Sequence, residues 1–175
     1  AVNSSDLMAG RTQPQMSTPL PTGLATFVTQ PSAQAVGQPI TPPVQVLVTD
    51  AGGVAVPGAS VQMLLAANPT GGALIGGGPV TTDALGIATF SLMGVNRAGG
   101  PYSLRARVQV TGLLVLDVLS QPFAVTGSPV PGMLVVTNTN DSGPGSLRSA
   151  MLLAELNAPA TDTITFSIPG VGVRS

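Results

Sequence analysis

The sequence predicts a mainly-β protein, a sandwich of about seven strands followed by a small strand–helix–strand segment. Three observations carry this. Val, Thr and Ile make up a quarter of the 175 residues, and β-branched side chains pack well on a pleated surface. Gly and Pro, 22 and 17 of them, recur between short apolar runs and read as turns. Apolar and polar residues alternate repeatedly, for longest over Tyr102–Val110. There Tyr102, Leu104, Ala106, Val108 and Val110 share one face, and Ser103, Arg105, Arg107 and Gln109 share the other.

Residues 1–22 hold Pro14, Pro19 and Pro21 among polar residues, with poor periodicity, and read as an extended arm. Its only charges are Asp6 and Arg11. The sandwich is expected over residues 23–126. Its strands are expected at 24–28, 44–49, 59–65, 86–92, 102–110, 113–119 and 122–125. Pro39, Pro42 and Pro43 interrupt the chain before the second strand. The Gly-rich stretch 71–78 reads as a loop with at most a short strand. Asp50 and Asp83 each precede a Gly-containing turn, where a carboxylate caps the turn's backbone N–H groups.

Ser128, Pro129, Pro131 and Gly132 mark a linker over 127–132, and a second unit is expected over 133–175. It opens with a strand, Met133–Thr137, and a polar turn, Asn138–Gly145. Ser146 is a good N-cap for a helix from Leu147 to Leu156. Leu147, Ala150, Met151 and Ala154 fall on one helical face, and Asn157 and Pro159 end the helix. A last strand, 161–168, puts Ile164, Phe166 and Ile168 on one face.

What is missing excludes most chemistry. With no Cys, His or Lys there is no thiol nucleophile, imidazole base, Schiff-base lysine or structural zinc site. The acids, six Asp and Glu155, form no tuned pair, and no Gly-x-Ser-x-Gly elbow occurs. No enzymatic activity, metal or cofactor is expected. Asn138, Asn140 and Asp141 offer oxygens, but one carboxylate is a poor calcium set, and Asx turns explain the run better. Six scattered Arg supply no basic stripe for nucleic acid. Arg105 and Arg107 read as solvated. Arg148 falls at the helix end disfavoured for a cation and calls for Asp141 or Glu155 as partner. No run reaches the roughly 20 apolar residues of a membrane helix. Only 7% of residues are charged, and mean hydropathy is +0.44. A surface so poor in charge is either rich in neutral polar groups or covered by other copies.

Two resemblances rest on specific residues. The first lies in Val44–Asp50, Val56-Pro57-Gly58-Ala59-Ser60-Val61, Thr81-Thr82-Asp83-Ala84-Leu85-Gly86-Ile87-Ala88-Thr89-Phe90 and Tyr102–Ala106. With this order of strand, turn and strand, residues 24–126 resemble the bacterial immunoglobulin-like domains of invasin- and intimin-type adhesins. That resemblance implies an Ig-like β-sandwich serving as spacer or binding module. The second lies in Val136–Arg148 and Asp162-Thr163-Ile164-Thr165-Phe166. Residues 133–172 resemble the opening segment of bacterial surface proteins built on a right-handed parallel β-helix. There the helix looks like a cap over the first coil, and the coils themselves would begin near Ile168.

The expected function is that of a non-catalytic, extracellular structural or adhesive protein of a bacterial surface. One alternative is a fibre subunit that exchanges a strand through its N-terminal arm. The other is the N-terminal fragment of a larger β-helix adhesin or carbohydrate-active enzyme. The expected partners are copies of the chain or other cell-surface proteins, with no nucleic acid and no membrane span. The expected assembly residues are Ile164, Phe166 and Ile168 on the last strand and Leu7 and Met8 in the arm.

Overall fold

The structure, a computed structural model, describes residues 24–110 and 114–169. Over these described residues it is mainly β with one helix. Among the described residues, eleven strands precede the linker: β1 (Leu24–Thr29), β2 (Gln34–Ala35), β3 (Val44–Thr49), β4 (Ser60–Ala67), β5 (Leu74–Ile75), β6 (Val80–Thr81), β7 (Ile87–Phe90), β8 (Gly94–Val95), β9 (Gly99–Val110), β10 (Leu114–Leu119) and β11 (Phe123–Thr126). After it come β12 (Met133–Val136), α1 (Leu147–Leu156) and β13 (Thr163–Phe166).

One sheet has the order β1-β3-β7 and a second the order β2-β11-β9-β4-β6, with β10 also paired to β9. Alternation decides what each strand contributes. Val44, Val46 and Val48 of β3 point inward, as do Ala88 and Phe90 of β7. Val61 and Met63 of β4 and Tyr102, Leu104, Ala106 and Val108 of β9 come from the other sheet. All of these join one buried cluster, so the two sheets share a core.

The seven expected strands are present, and four two-residue strands join them. Two residues carry no period, so β2, β5, β6 and β8 arise from their partners rather than from local pattern. In β2 the partner is a side chain as well as a strand. The buried Gln34 amide donates to the Val95 C=O at 2.8 Å and accepts from the Val95 N–H at 3.1 Å. It thus pairs with a backbone as another strand would. β2 also pairs in parallel with β11, Gln34 opposite Val125.

Asp50 and Asp83 cap their turns as expected. Asp50 Oδ1 accepts from the N–H groups of Gly52 and Val54, at 2.8 and 2.9 Å. Asp83 Oδ1 does the same for Leu85 and Ile87, also at 2.8 and 2.9 Å. The second turn passes close to β3. At Gly86, with φ +74°, a Cβ would lie 2.6 Å from the Val48 C=O. Both the left-handed backbone and the close approach require glycine there. Gly86→Ala is expected to cost about 1–3 kcal/mol, read as a lower urea midpoint with an unchanged slope. An unshifted midpoint would show that the turn relaxes freely.

Candidate assembly surface

Among the described residues, no three His, Cys, Asp or Glu side chains cluster as a metal site. No described helix is long and apolar enough to cross a membrane. The features with functional potential are one charged sheet face and the C-terminal strand–helix–strand segment.

The charged face lies across the β9–β10 hairpin, where Asp117 stands opposite Arg107 in register. Arg107 Nε donates to Asp117 Oδ1 at 3.2 Å, while Arg105 Nη1 is 4.0 Å from Oδ2. The Arg107 hydrogen bond, reinforced by the Arg107 and Arg105 charges, holds the Asp117 carboxyl below its ordinary pKa against some desolvation. The same hydrogen bond raises Arg107. The two Arg were expected to be solvated rather than ligand-binding. Arg107 is exposed and Arg105 half-buried, and both lie against one carboxylate.

A lowered native pKa means that the folded state binds fewer protons than the unfolded one. The pair's stabilisation is therefore present above the unfolded carboxylate value and lost as pH falls through the lowered native value. Asp117→Asn is expected to flatten this acid limb in urea unfolding at graded pH, and added salt should shrink the difference. An acid limb identical in both proteins would mean the pair is energetically silent.

In the C-terminal segment the local signals hold. Ser146 caps α1, its Oγ accepting from the Ser149 N–H at 3.2 Å. Arg148 finds Asp141, donating to its Oδ1 at 3.1 Å and to its C=O at 3.0 Å. Asn138 Oδ1 accepts from the Asn140 N–H at 3.1 Å, the Asx turn expected. The buried face of the helix differs from expectation. Ser149, Ala150 and Leu156 are buried, whereas Leu147 and Met151 remain 43% and 54% exposed. The helix is rotated by what it packs against. Ala150 lies against β12, and Leu156, at the C-terminal end, packs on Gly94 of β8.

That end is held by Asn157, whose sequence signal was only that of a helix stop. Its Nδ2 donates to the Val130 C=O at 2.6 Å and to Asp162 Oδ1 at 2.7 Å, and its Oδ1 accepts from the Val130 N–H at 3.2 Å. Asp162 Oδ1 also accepts from the Gly132 N–H at 2.8 Å. The segment expected as a linker is thus pinned to the helix end. On the sandwich side, the Gly37 N–H donates to the Leu156 C=O at 3.2 Å. A Cβ on Gly37, at φ +82°, would stand 2.7 Å from Asn157 Oδ1. A cleft of about 560 Å³ lies at this junction, lined by Val36, Gly37, Val130, Leu153, Asn157 and Asp162 among others. The Asn157 amide is already committed to Val130 and Asp162, so the cleft reads as a seam of the fold.

β12 and β13 form a two-stranded parallel sheet, Met133 opposite Thr163 through Val136 opposite Phe166. Val136 is buried, at 1% exposure, while Phe166 beside it is 63% exposed. Of the expected assembly residues, Ile164 is half-buried, and Phe166 and Ile168 are exposed. Leu7 and Met8 lie outside the described residues. Met133 and Val135 form an exposed apolar row on the opposite face that the sequence reading did not single out. The signal for it was present, since Met133 and Val135 alternate with Leu134 and Val136.

Compared with known proteins, the chain matches no family model and no curated protein.

Proposed function

We propose that the protein is a non-catalytic structural unit of a bacterial cell surface. In this reading an Ig-like sandwich is the spacer, and the C-terminal segment joined to it is a strand-accepting end. The observation that carries this is the β12–β13 sheet. A parallel sheet is ordinarily covered on both faces, and a two-stranded one is marginal alone. Here one face lies under α1, and the other presents Met133 and Val135. In-step parallel pairing over four residues is also what stacked coils of a solenoid require, which supports the resemblance to a β-helix cap. The absence of His, Cys and Lys from the sequence supports a non-catalytic role.

Antibodies raised against the folded protein are expected to label intact cells of its bacterial source without permeabilisation. Labelling confined to permeabilised cells would overturn the surface assignment. Turnover of a polysaccharide or ester that one substitution abolishes would overturn the non-catalytic one.

A further inference from the structure

We propose that Met133 and Met151 form a reversible oxidation site. Hydroperoxides convert the two thioethers to sulfoxides and turn exposed apolar surface of the C-terminal segment polar, while the sandwich stays folded.

The composition leaves methionine as the group to oxidise. The sequence has no Cys, Trp or His, and its single Tyr, Tyr102, is fully buried. Among the described residues, the methionines divide by unit. Met63 and Met93 lie in the sandwich core, at 2% and 0% exposure. Met133 and Met151 stand on the C-terminal segment, at 70% and 54%. Met8 and Met16 lie outside the described residues.

Both exposed thioethers can be reached. Met133 opens β12, where it shares an exposed apolar row with Val135. Met151 lines a cleft of about 520 Å³ with Leu147, Arg148, Leu152 and Glu155. That is many times the roughly 30 Å³ share of a water molecule, so hydrogen peroxide or a small alkyl hydroperoxide can enter.

The step is a two-electron oxygen transfer. A sulfur lone pair attacks the terminal peroxide oxygen and the O–O bond breaks. The departing oxygen takes the proton of the transferred one and leaves as water or an alcohol. Sulfur is oxidised and the peroxide reduced. A thiol-dependent methionine sulfoxide reductase reverses the step, releasing the oxygen as water while two thiols become a disulfide. A sulfoxide disrupts a packed core, but neither of these side chains is packed in one. Met133 and Met151 stand among the segment's exposed apolar side chains, with Val135, Leu147, Phe166 and Ile168. Oxidation therefore changes the polarity of that surface and leaves β3, β7 and β9 in place.

Peptide mass mapping of the full chain in dilute hydrogen peroxide reads each methionine separately. Met133 and Met151 are expected to gain oxygen about a hundredfold faster than Met63 and Met93, which react only when the core opens. Retention on a hydrophobic column should fall over the same time course, the urea midpoint should stay unchanged, and the reductase should restore retention. A protein carrying both Met133→Leu and Met151→Leu, which conserve volume, should hold most of its retention under peroxide. Core methionines that oxidise as fast as the exposed pair would overturn the assignment. So would a midpoint lowered once only that pair is oxidised, retention that the reductase fails to restore, or a double variant that loses retention as fully as the wild type. None of these outcomes bears on surface labelling or catalysis.

Discussion

Tyr102→Ala is expected to destabilise the sandwich by about 4 kcal/mol, a large share of the roughly 5–15 kcal/mol that holds a domain together. Tyr102 is fully buried on the central strand β9, with its ring centroid 5.9 Å from that of Phe123 on β11. Its removal opens a cavity between two strands that pair through Tyr102 and Phe123 themselves. The hydroxyl adds a second effect. It donates to the Arg97 C=O at 2.9 Å and is hydrogen-bonded to Thr70 Oγ1, while Arg97 Nη1 donates to the Thr70 C=O at 2.9 Å. Tyr102→Phe keeps the ring and removes only this knot, at about 1–2 kcal/mol. Urea unfolding of both variants separates the two effects. Equal losses would mean that the loop knot, and not ring burial, carries the residue's contribution.

The fold was legible where a pattern ran long enough to repeat. Nine alternating residues locate β9, and Val44-Gln45-Val46-Leu47-Val48-Thr49 locates β3, because a half-buried strand imposes period two on its own sequence. Caps and turns were equally legible. Ser146, Asp50 and Asp83 bond backbone groups within four residues of themselves, so the sequence holds both partners. The two-residue strands were not legible. β2 exists because Gln34 and Ala35 pair with Val125 and Thr126 of β11, far along the chain, and nothing near Gln34 announces it.

The candidate surface divides along the same line. Period two placed Ile164, Phe166 and Ile168 together, but which of them α1 would cover depends on how the helix is rotated. That rotation goes with the packing of Leu156 on Gly94, a contact between distant segments. The Arg107–Asp117 pair was within reach of arithmetic. A hairpin centred on residue 112 sets 107 opposite 117, as Val110 is set opposite Leu114. Asn157 shows the opposite case. Its helix-stopping role is local, whereas its clamp on Val130 requires the chain to return from 27 residues away.

Leu156→Ala is expected to cost about 3 kcal/mol, and the loss should fall on the join between the sandwich and the C-terminal segment. Leu156 is the last residue of α1 and has no exposed surface. Its Cδ2 packs so closely on Gly94 that a Cβ there would lie 2.8 Å away. The remaining ties across the join are few. The Gly37 N–H to Leu156 C=O bond is one, and the approach of Gly37 to the Asn157 amide is another. Truncating Leu156 removes the apolar part of that contact and leaves hydrogen bonds that water can replace at little cost. Calorimetry of the wild type should show one cooperative transition. The variant should show two, the sandwich melting near its original temperature and the segment well below it. Amide exchange should place the early loss in α1 and β12, not in β3 or β9. Asn157→Ala should act in the same direction, because it strands the Val130 N–H and C=O groups and one bond to Asp162, at about 1–3 kcal/mol. A Leu156→Ala protein that melts in one shifted transition, with protection lost evenly across β3, β9 and α1, would mean that the segment is an integral layer of the sandwich core.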